Sequence, residues 1–173
     1  MKKILLSSSF VLLLSACAAT PPKNVEIPVA FDANFAKAQL NGKEKVIGSA
    51  FLRQNGGSVV TCAGSTVDLY PATKYTEARM FHTYQINQWN GVRYKANNIY
   101  TPDPIEFETY KKSTTCDAQG NFEFSGLKEG DYFVVTKVEW SVPGPYGMEY
   151  QGGYVNKKVS VKKGTDNKVI LSQ

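Results

Sequence analysis

The side chains that could carry catalysis or hold a metal are few in this sequence. Its single histidine is His82, and its three cysteines stand far apart, at positions 17, 62 and 116. A zinc site needs clustered histidines and cysteines, which this spacing does not supply. The sequence has neither a G-x-S-x-G nucleophile motif nor a glycine-rich phosphate loop. We therefore expect no metal, no cofactor and no catalytic residue.

Acidic residues occur in pairs, of which Glu106 and Glu108 are an example. Alternate residues of a strand point to the same face, so such a pair arises without any shared chemical task. The segment Asp117–Glu123 has too few oxygen ligands for a calcium loop. With no acid–base pair and no nucleophile, we expect a protein that is not an enzyme.

Aromatic side chains are the one feature of the sequence that suggests binding. The chain has ten tyrosines and two tryptophans. Tyrosine rings in loops can stack on sugars or hold a protein partner, although tyrosine is also a common packing residue in strands. The candidate binding residues are those expected in or beside loops and turns: Tyr94, Tyr100, Tyr146, Met148 and Tyr150.

The first residues of the chain have the pattern of an export signal. Lys2-Lys3 precedes an apolar run of 11 residues, Ile4–Leu14, which is too short for the roughly 20 residues of a membrane-spanning helix. The run Leu14-Ser15-Ala16-Cys17 resembles the lipobox of bacterial lipoproteins, in which the cysteine becomes the lipidated N-terminus. The resemblance implies that residues 1–16 are a signal peptide and that residues 17–24 tether the lipid on Cys17 to a domain.

The same resemblance implies a location. Ala18 follows the lipidated cysteine, in place of the aspartate that typically retains lipoproteins at the inner membrane. We therefore expect the lipid to hold the chain on the periplasmic side of the outer membrane. Removal of residues 1–16 takes away two of 20 basic residues, which leaves 18 against 15 acidic ones. Because the basic residues occur only in scattered pairs, we expect no nucleic-acid partner.

The remaining cysteines, Cys62 and Cys116, are expected to form a disulfide. An exported chain matures in an oxidising compartment, where two cysteines most simply pair with each other. The bond would close 54 residues and contribute about 4 kcal/mol in the chain-entropy model. The alternative is a free thiol activated by His82, for which the sequence has no local signature.

Short β-rich segments separated by glycine and proline turns make up most of the chain after residue 25. Alternation of apolar residues is clearest in Thr66–Tyr70, Asn121–Ser125 and Asp131–Val142. Further strands are predicted at Lys45–Arg53, Val59–Ala63, Ile105–Thr115, Val155–Lys163 and Lys168–Leu171. Together these segments predict a mainly β fold, a single antiparallel β-sandwich over residues 25–173.

One α-helix is predicted as an insertion in this sandwich, over residues 76–89. Thr76 is a suitable N-cap, and Asn90-Gly91 would end the helix. A loop is predicted after it, over Val92–Pro104. A shorter helical stretch is predicted at Ala33–Gln39, and an elongated turn at Pro143–Gly147.

The pattern Asp117-x-x-Gly120-x-Phe122-x-Phe124-x-x-Leu127-x-x-Gly130-x-Tyr132 resembles the signature of carboxypeptidase regulatory-like domains. These belong to the prealbumin-like (transthyretin-like) sandwiches, which also include the Cna-B repeats of surface proteins. The runs Gly48-x-Ala50-Phe51 and Val67-x-Leu69-x-Pro71 are similar to the opening strands of that family. The resemblance implies a prealbumin-like sandwich in which these residues pack the core or permit turns, and it implies no chemistry.

We therefore expect a lipid-anchored, non-enzymatic envelope module that binds or supports another envelope component, either a protein or a glycan. The alternative is a dedicated glycan-binding module that uses its loop tyrosines. Binding groups on a rigid scaffold concentrate in inserted or lengthened loops. The two segments that qualify are Tyr75–Pro104 and Pro143–Gly153.

Overall fold

The computed structural model describes residues 21–84 and 95–172 and shows a mainly β fold in which two sheets pack as a sandwich. This architecture confirms the fold class that the sequence predicts. Among the described residues, no helix is long and apolar enough to cross a membrane. The elements in chain order are β1 (Lys23–Glu26), α1 (Ala33–Gln39), β2 (Glu44–Arg53), β3 (Val59–Thr61), β4 (Thr66–Pro71), α2 (Lys74–Tyr84), β5 (Asn98–Thr101), α3 (Glu106–Thr109), β6 (Lys112–Thr115), β7 (Asn121–Leu127), β8 (Gly130–Gly144), β9 (Gly147–Val161) and β10 (Asn167–Leu171).

Two sheets form the sandwich. In the first sheet β2 pairs with β10, β7 and β3, and in the second the strand order is β6-β4-β8-β9. Most pairings are antiparallel, as predicted. The pairing of β10 with β2 is parallel, and so is that of β1 with β5 in a separate two-stranded sheet.

The core between the two sheets consists of the alternating apolar residues of their strands. Val67 and Leu69 of β4 and Tyr132 of β8 are fully buried, and Phe122 and Phe124 of β7 meet them from the other sheet. Burial of an apolar side chain of this size contributes about 1.5–3 kcal/mol. The period-two pattern therefore identified the inward faces of these strands correctly.

The predicted disulfide between Cys62 and Cys116 is present inside this core, with Cα atoms 5.8 Å apart. Cys62 comes directly after β3 and Cys116 directly after β6. Because β3 belongs to the first sheet and β6 to the second, the bond links the two sheets.

A second apolar core lies on the outer face of the second sheet. Phe133 and Val135 of β8 point into it, because alternate residues of a strand point to opposite faces. Elements α2, α3, β1 and β5 cover this face and supply Tyr75, Met80 and Phe107. We call these four elements the covering layer. Both faces of β8 are covered, and this is why the middle of the strand is a continuous run of apolar residues.

The inserted helix begins two residues before the predicted start. Helix α2 starts at Lys74, and the Thr76 N–H donates to the Thr73 hydroxyl at 3.0 Å. The N-cap is therefore Thr73, and the prediction of Thr76 was wrong. The remaining predicted helical residues, 85–89, lie outside the described residues.

The predicted strand Ile105–Thr115 is wrong in its first half, where helix α3 spans Glu106–Thr109. The N–H of Tyr110 donates to the carbonyl of Glu106 at 2.8 Å, which closes a helical turn. Phe107 produced the apparent alternation, but its ring packs into the second core. Glu106 and Glu108 therefore do not share a strand face.

Candidate functional site

A cavity of about 250 Å³ lies between the covering layer and the outer face of the second sheet. Its volume is slightly below the ~300–1,000 Å³ of pockets for drug-sized ligands, so it suits a single small ring. The residues that line it and carry polar groups or rings include Tyr70, Arg79, Tyr84, Asn97, Asn98, Tyr100, Phe107 and Glu108. Most of them belong to the segment between β4 and β6, which folds back over the sheet.

Strand β5 forms one wall of the cavity, inside the predicted loop Val92–Pro104. It is held by β1, whose Val25 is buried and lies opposite Tyr100 in the parallel pairing. The Lys23 N–H donates to the carbonyl of Asn97 at 3.0 Å. The sequence did not predict this strand, because its partner β1 is more than 70 residues away and four residues carry little periodicity.

Arg79 of α2 is fixed between two aromatic rings at the cavity wall. Its guanidinium carbon lies 4.4 Å from the centroid of the Tyr100 ring and 4.3 Å from that of Phe107. Its Nη1 donates to the Tyr75 hydroxyl at 3.0 Å and to the Asp103 carboxylate. Burial lowers the pKa of this guanidinium, but the hydrogen bonds from Nη1 raise it above its ordinary value. Arg79 is therefore a permanent cation held in one orientation.

Tyr100 helps to hold Arg79 in place. It is therefore not the exposed loop residue that the sequence predicted. It lies in β5 and is buried, and its hydroxyl lies 2.6 Å from the Thr83 hydroxyl and accepts from Asn98 Nδ2 at 3.0 Å. Thr83 donates its proton to the carbonyl of Arg79 at 2.7 Å. Tyr100 therefore donates to Thr83, and its hydroxyl is fully engaged. The ring of Tyr100, in contact with Arg79, is what it contributes to the site.

An ion-pair cluster lies beside Glu108 and Tyr70 of the cavity lining. Lys111 Nζ lies 2.9 Å from Glu108 Oε2, 3.4 Å from Asp68 Oδ2 and 3.4 Å from the Tyr70 hydroxyl. Burial lowers the pKa of Lys111, but Glu108 and Asp68 raise it above its usual value, so the lysine stays charged. It holds Glu108, a half-exposed carboxylate, at the edge of the cavity.

Two buried phenols complete the polar lining. Burial and then the charges of Asp68 and Glu108 raise the pKa of Tyr70, and burial is also the main cause that raises the pKa of Tyr84. Both groups stay protonated at neutral and mildly alkaline pH. Among the described residues, no atom hydrogen-bonds to the Tyr84 hydroxyl, although its ring packs 5.2 Å from that of Tyr154.

The lining therefore offers hydrogen-bond donors and acceptors with little net charge. Among the lining residues, the positive charges of Arg79 and Lys95 balance the negative charges of Asp103 and Glu108. Phenols and amide side chains supply the neutral polar groups, and Phe107 supplies an aromatic ring. Within residues 21–84 and 95–172 there is no cluster of histidine, cysteine and acidic residues that could hold a metal. This chemistry suits a small ligand with many hydroxyl groups.

The predicted turn at Pro143–Gly147 is the end of a long hairpin. Strand β4 pairs with β8 only from Tyr132 to Thr136, whereas β8 and β9 pair with each other as far as Gly144 and Gly147. Residues 137–154 therefore form a two-stranded arm beyond β4, the base of which still packs on the sandwich, because Val138 is fully buried in its core. The segment Pro143–Gly153 is mostly strand, because only Pro145 and Tyr146 lie between β8 and β9.

The structure places the predicted binding residues in two regions. Tyr146, Met148 and Tyr150 are 101%, 60% and 71% exposed on the arm, and Tyr100 lines the cavity. Tyr94 and Cys17, the residue predicted to carry lipid, lie outside the described residues. The sequence analysis missed Arg79, although its i, i+4 spacing from Tyr75 and Thr83 places all three on one side of the helix.

Comparisons with known proteins bear on the fold. No protein-family model and no curated protein matches the sequence. The chain is similar to the crystal structure of a Pseudomonas aeruginosa protein for which carbohydrate binding has been proposed, with a TM-score of 0.67 and 23% identity over 84% of this chain and 99% of that one. At this identity the likeness shows a shared fold. A chlorocatechol 1,2-dioxygenase from Pseudomonas putida aligns with 91% of this chain over 69% of its own length, with 11% identity. Its TM-score of 0.27 is too low to support an argument.

Proposed function

We propose that this chain is a lipid-anchored, non-enzymatic module of the bacterial envelope that binds a glycan in the cavity under the covering layer. Cys17 carries the lipid, and the domain faces the periplasm from the outer membrane. The sandwich is of the carboxypeptidase regulatory-like, prealbumin-like type. In this proposal the expected envelope component is a sugar.

The observation that carries the proposal is the fixed position of Arg79. Sugar hydroxyls accept hydrogen bonds from guanidinium groups and donate to carboxylates, and both groups stand at this cavity. Because Tyr100 and Phe107 hold the guanidinium without a ligand, little side-chain entropy is lost on binding. The protonated phenols of Tyr70 and Tyr84 add donors, and the charges of Arg79 and Lys95 balance those of Asp103 and Glu108 in the lining.

The similar Pseudomonas aeruginosa structure supports this proposal, since it shares the fold and carbohydrate binding has been proposed for it. The identity of 23% does not transfer any residue of a binding site. The argument for the site therefore depends on the geometry of this chain.

A Glu108→Gln variant tests the site. The full chain, kept in a zwitterionic detergent without a sugar head group, is screened against neutral mono- and oligosaccharides by calorimetry. We expect Glu108→Gln to weaken binding roughly tenfold, because a charged acceptor for a sugar hydroxyl becomes a neutral amide. Glu106→Gln, in the same helix α3 and outside the cavity, is the matched control and should bind as the wild type does. Equal affinity of both variants, or the absence of any bound sugar, contradicts the proposal.

A further inference from the structure

One face of the arm continues from the cavity. In the β8–β9 pairing, Tyr154 lies opposite Lys137, Tyr150 opposite Ser141 and Met148 opposite Pro143. Directly paired residues point to the same face, and residues two apart along a strand do so as well. Counting back along β8, this is also the face of Phe133 and Val135, which pack under the covering layer.

Tyr154 connects this face to the cavity. Its ring packs 5.2 Å from that of Tyr84, and Tyr84 lines the cavity. From Tyr154 outwards, the same face carries Tyr150 and Met148, which are 71% and 60% exposed. We call Tyr154, Tyr150 and Met148 the arm strip.

A glycine separates the two tyrosines of the strip. Gly152 has a φ of +92°, and a Cβ there would collide with the carbonyl oxygen of Val138. Strand β9 itself therefore places no side chain between Tyr150 and Tyr154 on this face. Four residues of strand separate the two rings by roughly 13 Å, which is more than one sugar ring spans.

The charge of the strip selects among possible ligands. Lys137 and Glu139 lie beside the tyrosines and form an ion pair with Nζ and Oε1 2.7 Å apart. Because these charges cancel, the strip does not favour a polyanion or an anionic membrane surface. Aromatic rings spaced along a neutral strand face suit the apolar faces of successive sugar rings.

We infer that the ligand is a neutral linear oligosaccharide, with one sugar in the cavity and the following units along the arm strip. This inference depends on the proposed function, since it extends the same site. It predicts that affinity rises with chain length until the glycan reaches the end of the arm strip at Met148 and then stays constant.

The test is a length series on the full chain in the same detergent. The probes are N-acetylglucosamine, glucose and their β-1,4-linked oligomers of two to six units, together with maltose and its longer homologues. In the series that binds, we expect a tetramer to bind at least tenfold more tightly than the monomer. Tyr150→Ala should remove this gain and leave the affinity for the monomer unchanged.

Ile170→Ala provides a matched control, because Ile170 is a 56% exposed apolar residue on β10 of the other sheet. It should retain the full dependence on length. Two results would overturn the inference and leave the proposed function standing. One is equal affinity for monomer and tetramer, and the other is a Tyr150→Ala variant that keeps the wild-type dependence of affinity on glycan length. If Tyr150→Ala instead loses a protein partner and keeps the sugar affinities, the strip is a protein-binding surface and the inference fails. Failure of every probe to bind overturns both proposals.

Discussion

At the scale of single residues, Tyr132 shows how one phenol connects distant parts of the chain. Its oxygen lies 2.9 Å from the carbonyl oxygen of Gln39 and 2.8 Å from that of Lys128, so it joins the end of α1 to the turn before β8. Burial raises the pKa of this phenol to about 12, against about 10 in an unfolded chain. The folded protein therefore holds this proton more tightly than the unfolded one does.

The first prediction follows from this difference. Tyr132→Phe should lower the free energy of unfolding at pH 7 by about 1 kcal/mol, because the hydrogen bonds of the phenol are lost. The stabilisation by the raised pKa is complete below about pH 10 and is lost as the pH rises towards and through about 12. The difference between wild type and variant, measured by urea unfolding, should therefore shrink over this window. Tyr146→Phe, at a fully exposed position, is the control, and a difference that stays constant with pH contradicts the assignment.

The exposed residues of the arm were predictable from the sequence, and the cavity was not. Tyr146 stands between prolines and glycines that break a long alternating run, so its exposure follows from local pattern. Arg79 and Tyr100 meet only because β5 pairs with β1 and thereby faces α2. Such a contact depends on the pairing of strands that are far apart in the sequence, which neither hydrophobic periodicity nor secondary-structure propensity encodes.

At the scale of elements, the disulfide holds β3 and β6 together across the sandwich. Reduction, or replacement of Cys62 and Cys116 by serine, should lower the free energy of unfolding by roughly 2–5 kcal/mol, because the unfolded chain regains the freedom of a 54-residue loop. Thermal unfolding with and without a reductant measures the effect. The serine double variant should be insensitive to the reductant, and an equal response in both proteins would contradict the role of the bond.

The elements that the sequence predicted well are those with a local signal. Helix α1 spans Ala33–Gln39 as predicted, with the Asp32 side chain accepting from the Phe35 N–H at 2.9 Å. Helix α3 was mistaken for strand because Phe107 alternates with polar residues over only four positions. In so short a run, periods of 2 and 3.6 cannot be distinguished.

At the scale of the whole molecule, the second sheet is the shared wall of two cores. The sandwich core on one side contains the disulfide and the buried residues Phe122, Phe124, Leu127 and Tyr132. The second core on the other side is closed by the segments before β2 and between β4 and β6, and it holds the cavity. Scaffold and candidate site are thus on opposite faces of the same four strands.

The prediction for the whole molecule concerns its anchor. If Cys17 carries the proposed lipid, Cys17→Ala should move the protein from the membrane pellet to the soluble periplasmic fraction, because the variant lacks acyl chains whose burial contributes about 0.8 kcal/mol per methylene. Fractionation followed by immunoblotting measures the change. Glycan affinity of the released protein should equal that of the wild type. If the variant still pellets as the wild type does, the anchor lies elsewhere.

The pairing of β1 with β5 has a consequence for how such an anchored site would meet its ligand. Lys23, the first residue of β1, is hydrogen-bonded to Asn97 at the cavity and lies six positions after Cys17 in the sequence. Six extended residues span at most about 22 Å. With lipid on Cys17, a glycan carried by the same membrane would meet the cavity at a high effective concentration, and a soluble one would not. The fraction of cavities with a bound glycan would then depend on how densely the glycan covers that membrane.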